Sequence, residues 1–408
     1  MPRAVGSHEL ITDTDGQLGE QMRSWRRTIH AHPETAYEEF ATAKLVAAAL
    51  QESGIRVHTG IARTGVVGVL QAGNGGRSIA LRADMDALHI QELNDFAHRS
   101  LHDGRMHACG HDGHTATLLG AAAHLARTRN FEGTVYLVFQ PAEENEGGGR
   151  RMVEEGLFEH FPVDAVFGLH NLPGLPVGCF SLLSGPVLAS FDIFEIRISG
   201  KGGHAAMPQH VIDPIVIGSQ LVGALQTIVS RSLDPLESGV VSVTSLHAGD
   251  TWNVVPDEAV LRGSVRAFDE PIQARIEERL RALTTGICTS FGASATVKYE
   301  RRYPPTVNWP EQTEAARRVV VKTFGADSLT AGARPLMASE DFSYMLREKP
   351  GCFALLGNGV GAGSTGLHNP HYDFNDELLG WGATYWVRLV EDLLAPANLV
   401  NNDAAPTA

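Results

Sequence analysis

The order of short apolar runs and helical stretches constrains the fold more than any other feature of this sequence. Four apolar runs have the length of buried strands, namely VVGVLQ (66–71), SIALRA (78–83), TVYLVFQ (134–140) and DAVFGLH (164–170). Stretches with helical spacing separate them, such as HTATLLGAAAHLART (114–128). This alternation predicts an α/β sheet with helices on its faces, and in such folds the chemistry lies in loops at the strand ends.

From about residue 189 the pattern changes. FDIFEIRISG (191–200) and VVSVTSLHAG (240–249) alternate apolar and polar residues, as half-exposed strands do. Two helical patterns and two more strands complete a strand-helix-strand-strand-helix-strand unit; they cover 211–232, 271–287, 253–268 and 293–303. The sequence therefore predicts a compact α+β unit that interrupts the α/β pattern.

The α/β pattern resumes after Pro304 and Pro305. We therefore expect two domains. The first is discontinuous and comprises 1–188 and 304–408, and the second, 189–303, is inserted into it.

The charge balance argues against two classes of partner. With 33 Lys and Arg against 47 Asp and Glu, the net charge is −14, which opposes binding to nucleic acid phosphates and to anionic membranes. No apolar run approaches the ~20 residues of a membrane span, and residues 1–17 lack the apolar core of a signal peptide. We expect a cytoplasmic protein without a nucleic acid or membrane partner.

Side chains with catalytic or ligand chemistry are scattered through the first domain. The serine hydrolase, P-loop and zincin signatures (G-x-S-x-G, G-x-x-x-x-G-K-[ST] and H-E-x-x-H) are absent. Each candidate instead follows a predicted strand or lies in a Gly-rich turn; the set is Asp84, Asp86, Cys109, His111, Glu143, Glu144, His170, His368 and His371. Because strand ends converge on one edge of an α/β sheet, these residues are predicted to share one site.

The adjacent carboxylates Glu143 and Glu144 need an irregular loop to serve one site. Adjacent side chains point to opposite faces of a strand and diverge by about 100° on a helix. Pro141 and the glycines at 147–149 favour such a loop. One carboxylate can then bind a metal ion while the other acts as a general base on a metal-activated water. A solvated acidic loop is the alternative.

The segment HACGHDGHTA (107–116) contains a thiol that no disulfide pattern explains. The four cysteines are far apart and form no C-x-x-C. Cys109 precedes a helix predicted to begin near Asp112, which we expect to cap it, and a helix N-terminus lowers a thiol pKa. A metal-bound thiolate and a nucleophilic thiolate are both open, although the Cys-x-His spacing to His111 favours metal.

The inserted domain contributes polar residues of its own. His204 follows two glycines in GKGGHAAMP (200–208), where an imidazole can donate to a developing oxyanion. Taken alone, His204 is equally well explained as an exposed turn residue. The 253–268 segment carries Asn253 and Arg266, and an arginine fork suits a substrate carboxylate.

Nearly end to end, the sequence resembles the amidohydrolase branch of the di-metal peptidases that includes aminoacylase and carboxypeptidase G. That branch contains hippurate hydrolases, N-acyl-amino-acid amidohydrolases and plant indole-acetyl-amino-acid hydrolases. The motifs that carry the resemblance are RRTIHAHPETAYEE, LRADMDAL, MHACGHDGHTA, VFQPAEENEGGG, FGLHN, GKGGHAAMP, NVVPD, GSVRAF, ASEDFSYM and GLHNPHYDFND. One departure is His89, where the branch normally has proline.

The resemblance implies a role for each candidate. The implied metal ligands are Cys109, His111, Glu144, His170 and His368. Glu143 is implied as the general base, and Asp86 as a carboxylate that orients a ligand. His204 is implied as the oxyanion donor of a lid domain, and Asn253 and Arg266 as substrate-holding residues.

The implied fold is a metallopeptidase-type catalytic domain, a mixed sheet flanked by helices, with an inserted ferredoxin-like domain that acts as lid and dimerisation surface. The implied reaction is hydrolysis of N-acyl amino acids of the hippurate type, in which the acyl group is an aryl-acyl or fatty-acyl group. The implied cofactors are two divalent ions, zinc or manganese, with cobalt as an alternative. A homodimer or larger homo-oligomer is expected. The alternatives are an amidase with Cys109 as nucleophile, a dipeptidase or carboxypeptidase of the same family, and a binding protein that lost the chemistry.

Overall fold

The computed structural model describes residues 9–144, 146–360 and 364–396. The helices are α1 (Ile11–Thr14), α2 (Gly16–Ala31), α3 (Phe40–Glu52), α4 (His111–Thr128), α5 (Gly148–Glu154), α6 (Leu157–His160), α7 (Pro214–Thr227), α8 (Glu270–Ser290), α9 (Pro310–Phe324), α10 (Ser343–Glu348) and α11 (Glu377–Leu393). The strands are β1 (Arg56–Ile61), β2 (Gly65–Ala72), β3 (Ser78–Asp84), β4 (Gly133–Gln140), β5 (Ala165–Pro173), β6 (Phe180–Ser181), β7 (Gly185–Leu188), β8 (Phe191–Ser199), β9 (Gly203–His204), β10 (Gly239–His247), β11 (Val254–Val255), β12 (Glu258–Ala267), β13 (Ser294–Tyr303), β14 (Thr306–Asn308) and β15 (Gly351–Gly359).

The chain divides into two compact units. The first contains the described residues up to 185 together with 307–334 and those from 344 onward. The second contains 186–306 together with 335–343.

A mixed seven-stranded sheet forms the centre of the first unit, in the order β1-β2-β4-β3-β5-β15-β6. Strand β3 pairs in parallel with β4 and β5, and β5 pairs in parallel with β15. The outer strands β1, β2 and β6 pair antiparallel. The four parallel strands therefore direct their carboxyl ends to one edge of the sheet, and the fold predicted from the alternating pattern is confirmed.

Helix α4 is the central helix of the first unit. Its small residues let other elements approach closely, since a Cβ at Gly120 would lie 2.4 Å from the Sδ atom of Met22 on α2. Helix α2 begins where Asp15 accepts a hydrogen bond from Leu18 N at 3.1 Å, an N-cap that satisfies one of the free amides of the first turn. The packing of α2 against α4 fixes the start of α4 beneath the edge of the sheet where the parallel strands end.

The second unit is the α+β arrangement that the sequence predicts. Its antiparallel sheet has the order β10-β12-β8-β13, and α7 and α8 share a buried core with it that includes Phe194, Leu221 and Leu280. Asp213 and Asp269 cap the two helices, and a proline follows each in the first turn. Alternating burial along β8 matches one covered and one open sheet face.

Among the described residues, no helix combines the length and the apolar character needed to cross a bilayer.

Candidate metal centre

The candidate residues of the first unit gather at the carboxyl ends of the parallel strands. Asp84 ends β3, and Glu143 and Glu144 lie in the loop after β4. His170 lies near the end of β5, and His368 follows β15. The predicted convergence of these strand ends is therefore what the fold contains.

Cys109 and His111 enter this edge through a tight turn at the start of α4. Gly110 lies between them with a φ of 94°, in the left-handed region that favours glycine. A Cβ at Gly110 would lie 2.3 Å from Asn171 Nδ2 and 2.6 Å from Tyr372 Oη. Only glycine fits here, and the turn aims the thiol and the imidazole at the same space.

Three overlapping groups of metal-ligand atoms occupy that space. Within each group the ligand atoms lie within 4.8 Å of one another; the groups are Asp84 with His111, His114 and His170, Cys109 with Glu144 and His368, and His111 with Glu143 and Glu144. Cys109 Sγ lies 3.4 Å from His170 Nε2, and Glu144 Oε1 lies 3.1 Å from His368 Nε2. A thiol, imidazoles and carboxylates thus share one centre.

The loop that carries Glu143 and Glu144 is irregular, as their adjacency requires. Ala142 has a φ of 53°, and a Cβ at Gly148 would lie 1.8 Å from the carbonyl oxygen of Pro141. Glu144 N donates to Asp86 Oδ2 at 3.0 Å. Glu143 is buried, with 6% of its surface exposed, so the pair does not form a solvated acidic loop.

Two aspartates after β3 hold imidazoles of α4. Asp86 Oδ1 lies 3.2 Å from His111 Nδ1, and Asp84 Oδ1 lies 2.6 Å from His114 Nδ1. The opposite nitrogen of His114 accepts from the backbone amide of Asn171 at 3.1 Å. His114 therefore has both ring nitrogens engaged, whereas His111 keeps Nε2 free of Asp86.

The electrostatics of the centre favour a cation. Burial alone would lower the pKa of His111, but the carboxylates of Asp84, Asp86 and Glu144 outweigh it and raise that pKa to about 10. Burial, with the nearby carboxylates, raises the pKa of the Cys109 thiol well above its usual value. Burial, with His114 nearby, lowers the pKa of His170 and keeps it neutral. Positive charge is stabilised at this centre, and a metal-free thiolate is not.

The residues present fit a bound metal. His111 Nε2 is buried and has no hydrogen-bond partner among the described residues, as expected for a nitrogen that binds a metal ion. Its other nitrogen is held by Asp86, the arrangement in which a carboxylate orients a metal-binding imidazole. Thiolate with imidazole and carboxylate is a donor set that binds divalent transition metals.

The expectation that Asp112 caps α4 is wrong. The N-cap is Gly110, and Asp112 turns inward to a buried ionic cluster. Its Oδ2 lies 2.8 Å from His30 Nδ1 and 3.4 Å from Arg26 Nη1. The Asp112 carboxylate and a hydrogen bond to Glu92 outweigh burial and raise the pKa of His30 to about 9. Because Asp112 is buried beside Arg26 and His30, its carboxylate pairs with these two side chains and does not cap the helix.

The remaining candidates lie in the second unit or at the surface. His204 is exposed in β9, where its Nδ1 accepts from Ala206 N at 3.1 Å, and Asn253 is also exposed. Arg266 stacks on Phe191, its guanidinium carbon 4.2 Å from the ring centroid. Its Nη1 is buried without a partner among the described residues. His89, at the position of the branch's proline, is exposed.

Sequence reasoning missed the side chains that join the ligand-bearing segments. Asn171 Nδ2 donates to the carbonyl oxygen of Cys109 at 2.7 Å, and Tyr372 Oη donates to Asn171 Oδ1 at 2.7 Å. Both residues stand in recognised motifs, FGLHN and GLHNPHYD, directly beside a candidate histidine or within a few residues of one. That position was the available signal, but contacts between distant segments are not visible in a sequence.

Comparisons with known proteins agree with this geometry. The family model described as "Peptidase family M20/M25/M40" matches residues 80–392. A hippurate hydrolase of Campylobacter jejuni is 43% identical over 364 residues, which cover 89% of this chain and 94% of that protein. An N-acetyl-L-cysteine deacetylase of Bacillus subtilis is 40% identical over 363 residues, 89% of this chain and 85% of that protein.

A solved structure supports the same relationship. The YXEP protein of Bacillus subtilis, described as a dinuclear metal binding peptidase, has 34% sequence identity and a TM-score of 0.82, and the match covers 93% of this chain and 99% of that one. The predicted resemblance to di-metal amidohydrolases is confirmed, and the chain belongs to peptidase family M20/M25/M40.

Proposed function

We propose that this protein is a metal-dependent amidohydrolase that cleaves the amide bond between an acyl group and the amino group of an amino acid. The observation that carries the proposal is the convergence of thiol, imidazole and carboxylate groups on one buried edge of the sheet. The similar hippurate hydrolase and N-acetyl-L-cysteine deacetylase act, by name, on N-acyl amino acids, which supports this substrate class.

Five residues are proposed to hold two divalent ions: Cys109, His111, Glu144, His170 and His368. Support comes from the short distances among their ligand atoms and from the unpartnered Nε2 of His111. His114 is not included, because Asp84 and the Asn171 amide engage both of its nitrogens. Asp86 is proposed to orient His111 and, through the Glu144 amide, the loop after β4.

Two divalent ions held by these residues would lower the pKa of a water molecule and polarise the scissile carbonyl. Glu143 then accepts the proton of the attacking water and delivers it to the leaving amine nitrogen. Glu143 is itself buried, so bulk water has little access to its carboxylate. His204 is proposed to donate a hydrogen bond to the developing oxyanion.

The second unit is proposed to hold the substrate's carboxylate through Asn253 and Arg266. The support is the buried, unpartnered Nη1 of Arg266. Burial lowers the pKa of that guanidinium, so an anionic ligand would relieve a desolvated charge. Phe191 fixes the plane of the guanidinium by stacking.

The alternative with Cys109 as nucleophile is disfavoured by electrostatics. A nucleophilic cysteine needs a lowered pKa, whereas burial and neighbouring carboxylates raise the pKa of this thiol. A divalent cation bound at this centre would offset the raised pKa, so the Cys109 thiol fits the role of a metal ligand. Chelation separates the two mechanisms, because it abolishes metal-dependent turnover and spares a thiol amidase.

Hydrolysis of dipeptides is the second candidate function. The name of the similar YXEP protein includes the word peptidase, and a peptide bond is also an amide on an amino group. Zinc, manganese and cobalt all accept this donor set, so the ligands do not select the ion.

A substrate panel tests the proposal. Hippurate, N-acetyl amino acids, indole-acetyl conjugates and dipeptides would be incubated with protein loaded with Zn²⁺, Mn²⁺ or Co²⁺, and the released amino acid would be measured. The proposal predicts release from N-acyl amino acids that EDTA abolishes. Turnover that survives EDTA, or no turnover with any of these metals, would contradict it; the latter is what a binding protein without catalysis predicts.

We also propose that the domains are 1–188 with 304–408 and 189–303, and that the inserted domain joins two subunits of a cytoplasmic homodimer. The support for the dimer is the set of exposed apolar side chains in the second unit, including Leu246, Trp252 and Val254. Sedimentation equilibrium of the wild type and of Trp252→Ser tests it.

A further inference from the structure

Glu39 has a buried carboxylate that is neither a proposed metal ligand nor the proposed general base. It precedes α3, none of its surface is exposed, and three donors surround it. Oε1 accepts from Ala142 N and from Tyr37 N, each at 3.0 Å, and Oε2 accepts from Thr64 Oγ1 at 2.5 Å. A buried carboxylate with three donors is an organising group for the segments that donate to it.

One of those donors is the residue before the proposed base. Ala142 adopts a φ of 53°, a conformation that a residue with a Cβ keeps only when its surroundings impose it. Glu39 holds the amide of Ala142, and Gly148 N donates to the carbonyl oxygen of Ala142 at 2.9 Å. The backbone conformation of Ala142 therefore sets the direction in which the Glu143 side chain points.

The same segment contacts the loop a second time. Tyr37 Oη donates to the carbonyl oxygen of Glu146 at 3.4 Å. Tyr37 itself has a φ of 61°, and Glu39 accepts its amide. The turn at 37–39 therefore forms hydrogen bonds with residues 142 and 146, which lie before and after Glu143 and Glu144.

We propose that Glu39 is a positioning residue that holds Ala142, directly, and Glu146, through Tyr37, so that Glu143 faces the attacking water and Glu144 faces the metal ions. This inference rests on the proposed function. The feature of Glu39 that matters is an oxygen atom close enough to accept from the Ala142 amide, and not the negative charge of its carboxylate. In support, burial and nearby Asp86 raise the pKa of Glu39 to about 7, so the neutral group is accessible at neutral pH.

Three substitutions separate reach from charge. Glu39→Gln keeps an oxygen at the position of Oε1 and removes the charge. Glu39→Asp keeps the charge and withdraws the oxygens by one methylene group. Glu39→Ala removes both. Glu34→Ala is the matched control, because Glu34 lies in the same segment and also accepts two backbone amides, those of Ala41 and Thr42, which belong to α3 and not to the loop.

Two readouts are taken on folded protein well below the thermal midpoint of each variant. The first is kcat and KM for hippurate with saturating MnCl₂. The second is calorimetric titration of metal-free protein with MnCl₂, which does not depend on any substrate. A role confined to stability would shift the thermal midpoint and leave kcat and Mn²⁺ affinity unchanged.

We expect Glu39→Ala to lower kcat by about a hundredfold with little change in KM, as displacements of about 1 Å at a catalytic group do. Affinity for one Mn²⁺ should fall about tenfold or more, because Glu144 lies on the same loop. Glu39→Asp should behave like Glu39→Ala, and Glu39→Gln should stay within about threefold of the wild type, a small effect beside the hundredfold loss.

Several results would overturn the inference. These are full kcat and Mn²⁺ affinity in Glu39→Ala, activity retained by Glu39→Asp but not by Glu39→Gln, and an equal loss in Glu34→Ala. If the wild type does not hydrolyse hippurate, the proposed function is at fault, and the Mn²⁺ titration still decides whether Glu39 positions the loop.

Discussion

The proposed metal ligands and the proposed substrate residues differ in how firmly the fold holds them. His111 is fully buried, and Asp86 holds one of its nitrogens. His204 and Asn253 are exposed, and the His204 ring accepts a hydrogen bond from Ala206 N, in its own turn. The comparison indicates that the fold preorganises the proposed metal ligands, whereas it presents His204 and Asn253 of the second unit at the surface.

His368 is the exception within the first unit. Its side chain is half exposed, and it reaches Glu144 from a residue with a φ of 60°. Hydrogen bonding to Glu144 raises the pKa of His368. Five substitutions or conditions test the contrast between the two units, in order of expected effect.

Removing the proposed base should have the largest effect. Glu143→Gln keeps the shape of the side chain but cannot accept a proton, so kcat for hippurate should fall about a thousandfold while bound metal is unchanged. Steady-state kinetics and metal analysis check this. Glu146→Gln, at an exposed carboxylate of the same loop, should keep full kcat. Near-normal kcat in Glu143→Gln would remove Glu143 from the mechanism.

Removing the thiol should weaken metal binding by more than about a hundredfold, since the loss of an outer partner of a ligand alone costs ten- to a hundredfold. Metal content after dialysis and turnover would be compared in Cys109→Ser and Cys179→Ser. Cys179 is outside the ligand groups of the described residues, so its variant should match the wild type. Unchanged metal and turnover in Cys109→Ser would exclude the thiol as a ligand.

The buried ionic cluster beneath α4 should make stability depend on pH. Because the folded pKa of His30 is raised to about 9, its contribution is complete below pH 6.5 and is lost as the pH rises towards 9. That loss amounts to about 3 kcal/mol. Urea unfolding of metal-free protein at pH 6 and pH 9.5 measures it, and His30→Gln should flatten the dependence. Equal pH dependence in both proteins would show that His30 does not carry it.

Substitution in the second unit should affect substrate binding more than turnover. Arg266→Met should raise KM for hippurate about tenfold to a hundredfold, the loss of a charge-assisted hydrogen bond to a carboxylate. Arg262→Met is the control, because Arg262 lies on the same strand and pairs with Glu195 at 2.8 Å. If kcat falls and KM does not change, Arg266 does not hold the substrate.

The smallest effect is expected at the contact that joins two ligand-bearing segments. Tyr372→Phe removes the hydrogen bond to Asn171 and should lower the free energy of unfolding by about 1 kcal/mol. Tyr385→Phe is the matched control, since Tyr385 is equally buried and its hydroxyl has no partner among the described residues. Equal effects of the two substitutions would show that the Tyr372 contact contributes nothing.

The sequence predicts the strands that carry the candidate residues because their apolar runs are continuous and well separated. TVYLVFQ (134–140) forms β4, which begins one residue earlier, and DAVFGLH (164–170) forms most of β5, which extends three residues further. The α+β unit was likewise readable from alternation and helical spacing. The periodicity of apolar residues is a property of the local sequence, so it can be recognised without knowledge of the tertiary contacts.

What could not be predicted depends on contacts between distant segments. Glu39 lies 103 positions from Ala142, and Tyr372 lies 201 positions from Asn171. The local rule that an aspartate at a helix start forms a cap failed at Asp112, because Arg26 and His30 provide charges that only the folded chain brings near.

A metal titration of turnover tests the central claim most directly. Metal-free protein would be supplied with increasing MnCl₂, and hippurate hydrolysis would be followed together with bound manganese per chain. The preorganised centre predicts activity that is absent without metal, rises with occupancy and saturates at two ions per chain. Full hydrolysis in metal-free protein, or saturation with no manganese bound, would contradict it.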